Sequence, residues 1–163
     1  MRLGLIGMNQ IQQVADELRR LVNSWEGRLI RMGPAEIQFR EAEGRWSVKE
    51  IVGHLVDSAS NNHQRFVRLQ IAEEPSFPDY QSDNEKWVAS QRYQEEDWNG
   101  LIRLWQYCNL HLAHVIENVR SEALDHSWKG GSASTIRLGD LILDYLAHLK
   151  MHLDQIAEKN PDG

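Results

Sequence analysis

At 163 residues the chain has the length of one ordinary domain, enough to bury a core without disulfides or a structural metal. Lys plus Arg number 18 against 24 Asp plus Glu, a net charge of −6, and no stretch gathers the basic residues into a phosphate-neutralising stripe, so no nucleic-acid partner is expected. The single Cys108 excludes an internal disulfide and a CxxC pair, and no run of roughly 18 apolar residues spans a bilayer, which fits a reducing, cytoplasmic compartment and no membrane partner.

The opening "MRLGLIGM" is too short in its apolar part for a signal peptide. Residues 1–8 read as a candidate disordered leader, with Met1 and Met8 both open as starts. Ile11, Val14, Leu18, Leu21, Trp25, Leu29 and Met32 alternate steps of three and four, predicting a first helix over about 9–32 with Asn9 as cap and Gly33-Pro34 as stop. In "RWSVKEI", Ser47 and Glu50 form a capping box with Trp46 and Ile51 at the staple positions, so a second helix starts there and runs to about Ala72. After an irregular stretch at Glu73–Pro78, Ser82 and Glu85 propose another capping box and a short helix through "KWVASQ". Leu101, Leu104, Trp105, Cys108, Leu112, Val115, Ile116 and Val119 mark a third long helix over about Asp97–Arg120. "KGGSAS" breaks the chain, and Leu138, Leu141, Ile142, Tyr145, Leu149, Leu153 and Ile156 give a fourth helix ending before Asn160-Pro161. Nothing alternates convincingly with period two. The fold expected is therefore all-α, a single four-helix bundle over 1–163. A helix of about 26 residues is roughly 39 Å long, and the connection between the second and third long helices can span that, so an up-down-down-up order is sterically allowed.

The chemistry gathers on histidine. On the last helix His148 and His152 lie four residues apart on one border of the apolar face, at about 280° and 320° from Leu138, so two imidazoles can reach one metal ion. A solvated or hydrogen-bonded pair has the same spacing. His54 sits on the border of the second helix's apolar arc, with Ser58, Asn61, Asn62 and Arg65 along the same side. Asn62 falls inside that arc, where an unpaired amide is costly, so a polar-lined cavity accounts for the group together. For Asn61 and Arg65 a solvated edge is the expected reading. His111 and His114 fall on a polar flank and, with His63 and His126, are expected to be solvated; Trp25 and Trp105 lie on core stripes, and Cys108 reads as an inert buried thiol.

Two stretches, "RWSVKEIVGHLVDSASNNHQR" at 45–65 and "DYLAHLKMHLDQI" at 144–156, resemble the DinB/YfiT superfamily of small metal-binding four-helix bundles, and the likeness spans nearly the whole chain. The resemblance implies His54, His148 and His152 as ligands of one divalent metal per chain, nickel or zinc. It also implies the up-down-down-up topology and a homodimer. Members include bacillithiol- and mycothiol-dependent transferases and proteins described as metal-dependent hydrolases; the family name carries no polymerase activity.

Three neutral imidazoles leave coordination positions open to water or substrate, the arrangement of a catalytic site. Asp57 and Asp144, three after His54 and one turn before His148, are candidates to orient a ligand ring, and ordinary surface carboxylates are the equal alternative. "HLKMH" lacks the glutamate of HExxH, and no ExxH occurs, so zincin peptidase and ferritin-type di-iron chemistry are disfavoured. The expected reaction is S-transfer from a low-molecular-weight thiol, or hydrolysis, on a small molecule. The alternative is a non-catalytic metal-binding homodimer with a structural or partner-binding role. Ser58 and Asn62 are pocket candidates, and Tyr145 either bonds substrate or packs in the core.

Overall fold

The structure, a computed structural model, describes residues 7–80, 83–129 and 135–159. Four long helices carry it: α1 (Met8–Arg31), α3 (Val48–Ile71), α5 (Trp98–Glu117) and α6 (Leu138–Lys159). Short helices α2 (Pro34–Gln38) and α4 (Asn84–Gln91) lie in the connections around α3, and strands β1 (Ser127–Lys129) and β2 (Thr135–Arg137) lie between α5 and α6.

Side-chain contacts fix the helix directions. Gln12 and Arg19 in the first half of α1 meet Glu117 at the end of α5, while Trp98 at the start of α5 donates to the Leu29 carbonyl near the end of α1. These two helices are therefore antiparallel. Phe66 packs on Tyr145 and His54 on His152, which makes α3 and α6 antiparallel as well. Lys49 bonds the Gln94 carbonyl ahead of α5 and His63 meets His111 within it, so α3 and α5 run the same way. The bundle is up-down-down-up, as the length of the second connection allowed. Ile11, Leu18 and Leu29 of α1, Ile51, Leu55 and Phe66 of α3, Leu101, Trp105 and Leu112 of α5, and Leu138, Ile142 and Ile156 of α6 fill the interior.

Local signals decide the helix ends. Ser47 Oγ accepts from Glu50 N at 3.2 Å and Ser47 N donates to Glu50 Oε2 at 3.0 Å, so the capping box starts α3 as the sequence proposes. Asp97 caps α5 by accepting from Gly100 N at 2.7 Å. At α1 the expected cap is wrong by two residues. Gly7, in extended conformation, precedes the helix, its carbonyl takes the first helical N–H groups, and Asn9 lies within the first turn. After Met32 the chain does not simply stop but enters α2 at once, with Pro34 in the first turn, where a missing N–H is harmless. The expected short helix before α5 is present as α4, while Ser82, proposed as its cap, lies outside the described residues, as do residues 1–6 of the proposed leader and Asn160-Pro161.

The all-α bundle carries one small element that the sequence reading did not anticipate. β1 and β2 form an antiparallel ladder, Ser127 with Arg137, Trp128 with Ile136 and Lys129 with Thr135, flanking the "GGSAS" residues that lie outside the description. Three residues per strand are too few to show an alternation in sequence. The hairpin's Trp128 is 2 % exposed, against Phe77 of the long connection in a parallel stack 4.8 Å apart. His126, expected in solvent, is half-buried there, its Nδ1 at 2.5 Å from the Leu69 carbonyl.

Candidate metal centre

Antiparallel packing of α3 on α6 carries His54 from one helix onto the histidine pair of the other. His54 Nε2 lies 3.3 Å from His148 Nε2, and His152 Nε2 lies 3.1 Å from the same atom. One ring nitrogen from each of the three falls within 4.8 Å of the others. His54 and His152 are buried and His148 half-buried. Two nitrogens each about 2.0–2.1 Å from a tetrahedral ion stand about 3.3 Å apart, so these separations suit neighbouring positions on one cation. Without a cation, neutral imidazoles pointing lone pairs at one another have only a shared proton to hold them, which makes a bare cluster costly to bury.

The outer ring nitrogens differ in what they meet. His152 Nδ1 lies 3.0 Å from Gln155 Oε1, an acceptor, which fixes the tautomer with the proton on Nδ1 and the Nε2 lone pair facing the cluster. His148 Nδ1 lies 3.4 Å from Ser58 Oγ. His54 Nδ1 is buried and has no hydrogen-bond partner among the described residues, while Trp46 packs on its ring at a centroid distance of 4.8 Å. Burial, then the neighbouring His152 and His148, pushes His54 from the ordinary 6.5 down to about 3. Burial, His152 and the Arg65 guanidinium push His148 down to about 4, and burial lowers His152 against the opposing Gln155 bond. The rings are thus held neutral, the state in which imidazole binds a metal.

These shifts have a sign that can be measured. Below pH 6.5 the unfolded chain protonates His54 and His148 while the folded, metal-free chain does not, so stability is full above that pH and is lost as pH falls toward 4. Unfolding of chelator-treated protein is expected to lose several kcal/mol between pH 7 and pH 4.5, on the order of 1.4 kcal/mol for each displaced unit. His54→Ala is expected to show a shallower pH slope, and an equal slope would show that His54 is not the buried titrating group.

Beside the imidazoles opens a cavity of 230 Å³ walled by Ser58, Asn62, Arg65, Asp144 and Tyr145 together with His54 and His148. Asn62 is 7 % exposed and donates to the Ser58 carbonyl at 2.9 Å, which answers the cost of an amide on the apolar arc. Asp144 stands exposed on the rim, with no hydrogen bond to a histidine. Tyr145 is buried, and its hydroxyl donates to Asn109 Oδ1 at 2.5 Å, so the ring serves as wall and its polar end is engaged elsewhere. Asp57 faces away from the rings: Tyr93 OH at 2.8 Å and Gln91 Nε2 at 2.7 Å donate to its Oδ1. Burial raises its carboxyl against the pull of those two donors. Ser58 and Gln155 are therefore the groups that touch the outer nitrogens of the pair.

Arg65 departs from its expected solvated edge. It is 8 % exposed, bonded through Nη2 to Asp79 Oδ1 at 2.6 Å and through Nη1 to Asn62 Oδ1 at 3.2 Å, with its guanidinium 4.7 Å from the Trp128 ring. The connection bearing Asp79 and the hairpin bearing Trp128 fold over a helix edge that is polar by sequence. Sequence reasoning missed Gln155, although its place three residues after His152 on one helix is a local signal that could have found it; the roles of Asp79, Tyr80 and Trp128 as cavity walls depend on loop placement and left no local mark.

Residues 10–156 match the family model of the DinB superfamily. A protein of Oceanobacillus iheyensis named as a putative metal-dependent hydrolase is 25 % identical over 162 residues, 96 % of this chain and 86 % of that protein. The solved structure of YfiT from Bacillus subtilis, described as a probable metal-dependent hydrolase with an unusual four-helix bundle topology, superposes with a TM-score of 0.86 at 19 % identity, over 99 % of this chain and 91 % of that one.

Proposed function

The chain belongs to the DinB superfamily, and on that footing we propose that it is a metal-dependent enzyme acting on a small molecule, with His54, His148 and His152 as ligands of one divalent ion, nickel or zinc. The observation that carries this reading is the convergence of three neutral ring nitrogens, 3.1 and 3.3 Å apart along two edges, at the wall of a cavity. A divalent ion bound by three imidazoles supplies an open position at which a water or thiol becomes a nucleophile near neutral pH. Hydrolysis and thiol S-transfer both follow from that chemistry. Hydrolysis is the reading the named relatives favour, and it takes first place.

The chain's own residues have separate tasks in this reading. Gln155 and Ser58 hold the outer nitrogens of His152 and His148 and so keep both rings turned inward. Trp46 covers His54 and keeps water from that side. His148 shares the cavity wall with His54 and is the less buried of the two rings, so it is the one offered to an incoming substrate. The test is an activity panel on metal-loaded protein: small esters and amides with and without a low-molecular-weight thiol. Turnover that chelator abolishes and the metal restores is expected. Turnover that survives in His148→Ala, or no turnover of any ester, amide or thiol acceptor in protein with a full metal complement, would contradict the enzymatic reading.

A further inference from the structure

The cavity beside the imidazoles carries a charge pattern that the ligands leave unbalanced. Imidazoles bind as neutral groups, so an ion held by His54, His148 and His152 keeps its full double charge. The same cavity is walled by a second cation, Arg65, nine-tenths buried. Among the described residues of the wall, the carboxylates are Asp79, bonded to that guanidinium at 2.6 Å, and Asp144, exposed at the rim. Two cations facing one small cavity of low dielectric repel each other unless an anion lies between.

Arg65 is also held as a recognition group is held. Its Nη2 is bonded to Asp79 and its Nη1 to Asn62, and its plane lies over Trp128, so its rotamer is fixed before any ligand arrives. Those two bonds use two of the five N–H donors a guanidinium carries. The rest of the wall includes apolar surface, Trp128, Ile136 and Leu141 among it. The planar fork of a guanidinium matches the paired oxygens of a carboxylate or a phosphate, and the singly charged carboxylate is the one of the two that costs less to bring against the apolar part of this wall.

We infer that this cavity is a carboxylate-recognition subsite: the substrate is a small molecule with a free carboxylate, seated on Arg65, and a short apolar body lying against Trp128 and Leu141. The inference rests on the metal reading for the position of the reacting group, and on Arg65 alone for the carboxylate. It makes Arg65 a specificity residue, outside the ligand set.

The experiment compares butanoate with its uncharged isostere butanamide by calorimetric titration of the full chain loaded with zinc, with the metal content of each sample measured alongside. Butanoate is expected to bind at least tenfold more tightly than butanamide. Arg65→Gln should bring the ratio near one while metal content stays at the wild-type level. Arg65→Lys, which keeps the charge and the partner Asp79 but loses the fork, should fall between them and guards against a misfolded Arg65→Gln. Equal binding of the two probes by wild type, or an undiminished preference in both variants, would overturn the subsite; the latter result would show that the ion alone captures the carboxylate. Wild type without a bound ion would defeat the metal reading instead. The same ratio in that metal-free protein then decides the subsite on its own, a preference lost in Arg65→Gln upholding it and no preference ending it.

Discussion

His152→Ala is expected to strip the protein of its bound ion and leave the bundle folded. The His152 Nε2 lies 3.1 Å from that of His148, and its other nitrogen is oriented by Gln155, so this ring is aimed at the cluster by its own helix. Removing it leaves two imidazoles from two helices. Loss of a group that merely orients a ligand costs about 10–100-fold in affinity, so loss of the ligand itself should cost roughly a hundredfold or more. Alanine suits a helix interior, and the deleted ring occupies a polar cluster instead of the apolar core, so the helical signal should hold at the wild-type level. Metal analysis after gel filtration, with circular dichroism on the same sample, gives both answers. About one ion per chain in wild type and almost none in the variant is the expected pair of results. Gln155→Ala should give the milder effect, about tenfold, because the ring stays and only its tautomer is released.

Gly53→Ala should be among the most destabilising single substitutions in the chain. A Cβ at Gly53 would come within 2.2 to 2.5 Å of three carbons of the Tyr93 ring. That ring has no room to retreat: Tyr93 is 4 % exposed, and its hydroxyl is tied to Asp57 at 2.8 Å. Overpacking of this severity is expected to cost about 3 kcal/mol or more, a fall of about 6–12 °C in Tm for a chain of this length. The clash also pushes on the turn of α3 that carries His54, so weaker metal binding should accompany the loss. In a Tyr93→Ala background the obstacle is gone, and alanine outranks glycine in a helix by about 1 kcal/mol, so Gly53→Ala should there be neutral or stabilising. Thermal unfolding of the four proteins of that cycle checks the prediction. Equal costs in both backgrounds would show that Tyr93 is not the obstacle.

The long helices were legible because each buries a stripe along most of its length, and a stripe repeats in sequence. Val14, Leu18, Trp25 and Leu29 are buried on α1 as the three-and-four spacing requires. The capping box at Ser47 was legible for a similar reason, since its two bonds are local. The histidine pair on α6 was visible as a pair, but the joining of His54 to it depends on the antiparallel contact of α3 and α6, which no spacing within one helix encodes. Arg65 was misread because its burial is made by distant chain: Asp79 of the connection and Trp128 of the hairpin close over it. Asp57 shows the limit of spacing arguments from the other side. It follows His54 by three residues, yet its carboxylate is turned to Tyr93 and Gln91 of the connection before α5. Contacts made by short or irregular segments carry no period, and those segments close the cavity that α3 and α6 line.

X-ray absorption at the edge of the bound metal tests the central claim most directly. Three imidazole nitrogens at about 2.0–2.1 Å, with oxygen ligands completing the shell and no sulfur, is the predicted result. A shell with a sulfur ligand from Cys108, or with fewer than three imidazoles, would contradict it.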